Sequence, residues 1–309
     1  MTDTTGEDTA FASYYGRPVI KEAPWTAHDI GGYLFLGGLA GASSVLAAGA
    51  ELTQRPRLAR ATKLTSVAAL GGSVAALIHD LGRPERFLNM LRVVKPTSPM
   101  SVGSWLLVGY GPLVGGAAAS DLTGWLRAPG RAATYGAAVV GPAVAAYTAV
   151  LICDTAVPSW HEGYREMPFV FTGSAAAAAG GVGLLAAPLT ENRPARRIAV
   201  LGAGIELAAQ HRMQRRLGML AEPYRQGRGG ALMRAAMITT VAGAAAAALL
   251  GGRSRSVAAL SGAALLAGSL CTRLGVFHAG QASARDPRYT VTPQRHRLID
   301  EQHHGDQQE

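Results

Sequence analysis

Eight stretches of this chain run for most of a bilayer's thickness with almost no charge, and nothing else in the sequence limits the fold as much. They are Gly31–Ala50, Leu64–Ile78, Pro99–Ser120, Ala132–Cys153, Met167–Thr190, Ile198–Ala209, Ala235–Gly252 and Ser256–Thr272. A hydrocarbon core about 30 Å thick takes roughly 17–25 residues of helix. A buried helix of a soluble protein rarely stays uncharged for that long. The sequence therefore predicts an all-α membrane protein with eight transmembrane helices. The sixth stretch is the weakest: Glu206 breaks it, and it reaches spanning length only if its flank is recruited from Ala195.

Composition agrees once small residues are allowed for. Charged residues make up 16% of the 309 positions, against about a quarter in ordinary soluble chains. Mean hydropathy is only +0.16, because alanine and the 39 glycines dilute it while packing closely between membrane helices. Two cysteines are too few for a disulfide framework or a thiolate-held iron–sulfur cluster. The net charge of +9 is no nucleic-acid face, since the basic residues sit in the turns between apolar stretches. There they set orientation and meet lipid headgroups.

An even helix count puts both termini on one side, here side A, together with the connections near 81–98, 155–166 and 210–234. Side B holds four short loops, near 51–63, 121–131, 191–197 and 253–255, marked by Arg55-Pro56-Arg57, Asn192-Arg193-Pro194 and Gly251-Gly252-Arg253. These loops are dense in Arg against only Glu51, Asp121 and Glu191. Lys and Arg in short loops mark the cytoplasmic side, so side A and both termini are expected outside a plasma membrane. No cleavable signal peptide is visible, and the first helix is expected to drive insertion. The polar tail, with His303-His304, reads as solvated.

Chemistry concentrates on side A. His79-Asp80 leaves the second stretch, Arg83 and Arg86 follow, and Pro96-Thr97-Ser98-Pro99 launches the third. At the end of the fourth stand Tyr147 and Asp154, seven apart and so nearly on one face. An aspartate at membrane depth is a functional candidate, whereas Trp160 nearby reads as an interfacial belt residue. His28 and Asp29 enter the first stretch, Glu206 and His211 leave the sixth, and Arg273 and His278 leave the eighth. Tyr, His, Asp and Arg at a membrane boundary suit a quinone head group, whose carbonyls need hydrogen-bond donors and whose reduction needs protons. Haem b fits less well, because it needs His pairs from within helices, and the middles of these stretches lack His.

Asp80-Leu-Gly-Arg-Pro-Glu-Arg-Phe87 followed by Lys95-Pro-Thr-Ser-Pro-Met-Ser-Val-Gly-Ser-Trp105 closely resembles the helix 2–3 connection of the NrfD / polysulfide reductase membrane-subunit family. The resemblance covers about residues 28–280 and includes Gly37-Gly-Leu-Ala-Gly41. It implies two four-helix bundles, over 28–167 with the quinone site and over 168–280, flanked by polar segments 1–27 and 281–309. It also implies electron exchange between a partner's iron–sulfur clusters and menaquinone or ubiquinone. The partners implied are a ferredoxin-like iron–sulfur subunit and a molybdopterin catalytic subunit holding molybdenum or tungsten.

The family's helix-four tyrosine resembles Tyr147, and its acid after helix two resembles Asp80, preceded here by His79. The family's polar residue and histidine of helix one are shifted to His28 and Asp29, with Tyr33 further along. The expected catalytic set is therefore Tyr147, His79 and Asp80, with Asp29, His28, Tyr33, Arg83 and Asp154 holding the quinone. Arg285 to Thr290 and Pro293-Gln294-Arg295 resemble an extension of members found with formate-dehydrogenase-like partners. Two alternatives stand beside this. One is a proton or solute transporter of two four-helix halves, disfavoured because such transporters place polar groups at the bilayer midplane. The other is a purely structural anchor.

Overall fold

The computed structural model describes residues 20, 23, 25–81 and 89–293. Among these residues the chain is helical and without strands. Eight long helices follow one another: α1 (Ala27–Leu52), α2 (Pro56–Asp80), α3 (Pro99–Thr123), α4 (Arg127–Cys153), α5 (Met167–Ala186), α6 (Arg193–Arg216), α7 (Gly227–Leu249) and α8 (Arg255–Arg285). A single turn, Pro158–His161, lies between α4 and α5, and a 3-10 segment, Gly218–Tyr224, between α6 and α7. Prolines start several of these elements. Pro56, Pro99, Pro158, Met167-Pro168 and Arg193-Pro194 stand at first-turn positions, where the missing N–H costs nothing.

Seven of the long helices combine spanning length with an apolar window; α6 does not. It has 24 residues, about 36 Å of helix. Its first turns carry Arg193, Arg196 and Arg197 and its last Arg212, Arg215 and Arg216. Its length is therefore adequate, while its uncharged centre is short.

Two helices run well past the uncharged stretches that announced them. α2 starts at Pro56 and takes in Lys63, whose ammonium is buried against the carboxylates of Glu51 and Asp121. α8 continues past Arg273 to Arg285, and Arg273 is completely buried. A charge ends a membrane stretch in sequence, but it does not end the helix when a partner is supplied.

Helix α1 occupies the centre. In its apolar window 78% of residues are buried, against 33% for α7. It packs on α2 and α4, and also on α5 and α8, while α3 lies on α4, α6 on α5 and α7 on α8. The close approach of α1 to α4 depends on glycine. A Cβ on Gly41 would strike the Gly141 carbonyl, and a Cβ on Gly141 would strike that of Gly41. One core cluster, with Leu34, Tyr110, Ile152, Phe171 and Phe277, draws on α1, α3, α4, α5 and α8. A second, with Leu46, Leu58, Leu184 and Leu265, closes the side B end.

Several side B arginines serve the fold directly. Arg55 donates to the Thr190 carbonyl (2.9 Å), Arg196 to those of Ala247 (2.8 Å) and Ala248 (2.7 Å), and Arg255 to those of Leu184 (2.7 Å) and Ala187 (3.1 Å). These satisfy carbonyls left over at the ends of α5 and α7 and in the turn after α5. Glu191 caps the other polarity, accepting from the backbone N–H groups of Arg57 and Leu58 at the start of α2. Part of the side B arginine density is thus helix capping.

Candidate functional site

Thr26 opens α1 as its N-cap, with Asp29 three residues on. The Thr26 hydroxyl accepts from the Asp29 N–H (3.3 Å) and donates to Asp29 Oδ2 (2.7 Å). The same Oδ2 meets His79 Nδ1 at 3.0 Å, from the last turn of α2. The His79 side chain is 79% exposed and that of Asp29 21%, so the pair is open to water on side A. Asp80, half-buried beside it, lies within electrostatic reach of both. His28 is exposed next to Asp29 in the first turn of α1.

Below this pair two tyrosines meet. Tyr33 and Tyr147 each sit six residues inside a helix end, about 9 Å down. Their hydroxyls are in direct hydrogen-bond contact, and their rings stand edge to face, with centroids 6.5 Å apart. Tyr33 is 2% exposed and Tyr147 9%. Two hydroxyls offer two protons and four lone pairs, and one proton is enough for their mutual bond. The other is left for a ligand oxygen. Ser73 Oγ donates to the Tyr33 carbonyl at 3.1 Å, pinning this turn of α1 against α2.

The structure therefore brings together Asp29, His79 and Asp80 at the mouth and Tyr33 with Tyr147 beneath. Asp154 is not among them. α4 ends at Cys153, and Asp154 follows as its exposed, non-helical C-cap, so the face shared with Tyr147 stops one residue short. Arg83 lies outside the described residues. Trp160 is corrected outright: it is fully buried rather than in an interfacial belt. Its Nε1 donates to the Val276 carbonyl (2.7 Å), its ring stacks on Trp25 (6.1 Å), and Gly280 leaves room for the indole. An indole N–H with a buried acceptor has no need of the headgroup layer.

The family model for polysulphide reductase, NrfD, matches residues 20–197, more than half of the chain. The chain belongs to the NrfD family. Membership implies an integral membrane subunit of a quinone-interacting oxidoreductase complex. The match covers α1 to α5 and ends in the first turns of α6, short of the residue-280 limit that the sequence motifs implied. No curated protein matches the chain.

The geometry gives the NrfD-like motif before α3 a physical meaning. Pro99 starts the helix. Ser101 Oγ donates to the Val93 carbonyl and accepts the Lys95 N–H, each at 3.0 Å, folding the loop back on the helix. Gly103 then faces Tyr147, where a Cβ would overlap the phenol ring. The motif is the seat of the helix-four tyrosine.

A second polar centre was missed. Glu206 and Arg273 were expected near helix ends, but Glu206 is mid-helix and 2% exposed, and Arg273 is wholly buried. Thr272 Oγ1 donates to Glu206 Oε1 (2.6 Å). Arg273 Nη2 donates to the Phe171 carbonyl (2.7 Å), and its guanidinium lies 3.8 Å over the Phe171 ring. Gly38 of α1 makes room for that guanidinium. Apolar residues resuming after Arg273, at Leu274, Val276 and Phe277, were the available signal that the helix continues.

Proposed function

We propose that this chain is the quinone-reactive membrane subunit of a multi-subunit oxidoreductase. It passes electrons between a ferredoxin-like iron–sulfur partner and menaquinone or ubiquinone. A molybdopterin subunit, formate-dehydrogenase- or polysulfide-reductase-like, completes the complex. On this reading α1–α4 (28–167) and α5–α8 (168–280) are two four-helix bundles. Side B, with its short arginine-rich loops, is cytoplasmic, and side A, carrying the termini and the partners, lies outside the plasma membrane.

The observation that carries the reading is the Tyr33–Tyr147 hydroxyl pair beneath Asp29 and His79. A quinone takes two electrons and two protons. Its carbonyls need donors at a depth its apolar tail can reach, and its protons need a path to water. Tyr147, the more exposed of the pair, accepts from Tyr33 and donates its own proton to a carbonyl oxygen. The exposed His79 with Asp29, and Asp80 beside them, take up or release the protons, histidine being suited to that near neutral pH. His28, Arg83 and Asp154 belong to the same side A face and bear on headgroup entry. Two buried phenols and a hydrated His–carboxylate pair fit a neutral carbonyl acceptor better than an anion.

In the purified native complex, Tyr147→Phe should slow quinone turnover about 10–100-fold, the worth of a hydrogen bond to developing charge. Copurification of the partner subunits should be unchanged. Normal turnover with full assembly sinks the assignment of Tyr147, and isolation of the chain without redox partners sinks the whole reading. The transport alternative gains one observation: Glu206 Oε2 and Arg273 Nε and Nη1 are buried without protein partners among the described residues. Its test is proton flux into liposomes holding the chain alone, with Glu206→Gln as the control.

A further inference from the structure

Two of the clefts on side B differ in charge. One, of about 530 Å³, is lined by Arg55 and Arg131 but also by Glu51 and Asp121. The other, of about 460 Å³, lies between α6 and α7 and is lined by Arg193, Arg196, Arg197, Val200, Leu201 and Ala248, with no acid among them. Arg196 is committed to the carbonyls of Ala247 and Ala248. Arg193 and Arg197 are exposed and one helical turn apart, hence on one face of α6. The next turn toward the bilayer centre presents Val200, 42% exposed, and Leu201, 63% exposed. A cationic rim thus stands directly above an uncovered apolar wall. A free anion would need only the rim, whereas a phospholipid would use both.

We propose that this cleft binds an anionic phospholipid, with its phosphate between Arg193 and Arg197 and its acyl chains along Val200 and Leu201. Basic clefts between membrane helices at the cytoplasmic surface are suited to such headgroups. The site also accounts for how α6 holds its place. It alone of the eight long helices lacks an apolar window long enough to span, and three arginines crowd its first turns. Backbone carbonyls of α7 satisfy one of them, and lipid phosphate satisfies the other two. The proposal is independent of the quinone assignment.

The test uses the purified full chain in detergent, titrated with phosphatidylglycerol or phosphatidylcholine and followed by native mass spectrometry. Phosphatidylglycerol should be retained at least tenfold more tightly than phosphatidylcholine, and inorganic phosphate at the same concentration should not displace it. Arg193→Gln/Arg197→Gln should abolish the preference, while Arg253→Gln, a side B charge outside the cleft, should leave it intact. Equal retention of the two lipids by the unmodified chain overturns the proposal without recourse to a variant. Displacement by inorganic phosphate, or an equal loss with Arg253→Gln, overturns it as well.

Discussion

Two polar clusters, here the two mouths, stand on side A, each joining a carboxylate to a basic side chain at the ends of neighbouring helices. At α1 and α2 the partners are Asp29 and His79. At α5 and α6 they are Glu166 and Arg216, in a bidentate contact of 2.6–3.0 Å, with Arg212 at 3.6 Å. Histidine gains and loses a proton near neutral pH, and arginine does not. What lies beneath differs in the same sense. Under the first mouth are two neutral phenols. Under the second, about 15 Å along α6 from Arg216, are Glu206 and the buried Arg273. At its side A end the first half keeps its ionisable groups toward water and its hydrogen-bond donors deep, which suits proton exchange. The second half buries its charge among Thr272, Phe171 and Gly38, which suits holding helices together.

The largest expected effect tests the structural side of that contrast. Arg273→Met removes a buried guanidinium, its bond to the Phe171 carbonyl and its contact with the Phe171 ring, and should cost about 3 kcal/mol, read as loss of folded chain in thermal unfolding in detergent. Adding Glu206→Leu removes a carboxyl that is itself buried with one oxygen unpartnered and should recover part of the loss. If Arg273→Met is stable yet stops proton or electron transfer, the second half is functional and the contrast fails.

Next in size is Gly103→Val, which acts on the first half through shape. Its side chain would occupy the space of the Tyr147 ring, an overpacking worth about 1–3 kcal/mol. Because the ring must move, quinone turnover should fall as it does for Tyr147→Phe. A stable Gly103→Val protein with full turnover would separate the tyrosine from the site. Tyr33→Phe is gentler. It removes one hydroxyl of a mutually bonded pair, costs about 1 kcal/mol, and should slow turnover less than Tyr147→Phe if Tyr147 is the residue facing the ligand. The reverse order would reassign the donor.

Much of this contrast was legible in the sequence, for reasons of chemistry rather than position. Uncharged length showed the spans, because lipid admits only helices and closed barrels, and runs of this length fit the helix. His79, Asp80, Asp29 and Tyr147 stood out because polar residues are scarce in such a chain. What escaped depended on neighbours distant in sequence. Resemblance ranked Tyr33 with the quinone-holding residues, but its bond to Tyr147 depends on α4 packing against α1. Arg273 looked like a helix end because a charge is normally where a span stops, and only Glu206 and the Phe171 carbonyl, from two other helices, explain why it is not. Asp154 fell at a boundary: helical spacing placed it on the Tyr147 face, and α4 ends one residue before it. Trp160 was misjudged because its acceptor, Val276, is more than a hundred residues away.

The smallest effect sharpens the comparison of the two mouths. The Glu166 carboxyl is held below its ordinary value of 4.5, first by hydrogen bonds from Arg216 and then by the charges of Arg216 and Arg212. A carboxyl depressed in the folded state binds fewer protons there than in the unfolded chain, so its contribution is complete above about pH 4.5 and fades as the pH falls through the lowered folded value. Glu166→Gln should therefore cost about 1 kcal/mol at neutral pH, and the stabilities of variant and parent should converge in acid. Quinone turnover per folded complex should not change. Asp29→Asn is the mirror experiment. Its carboxylate answers to an exposed histidine, so stability should barely move while the pH profile of quinone turnover shifts. If Glu166→Gln alters the turnover profile, or Asp29→Asn leaves it untouched, the mouths have been assigned the wrong way round.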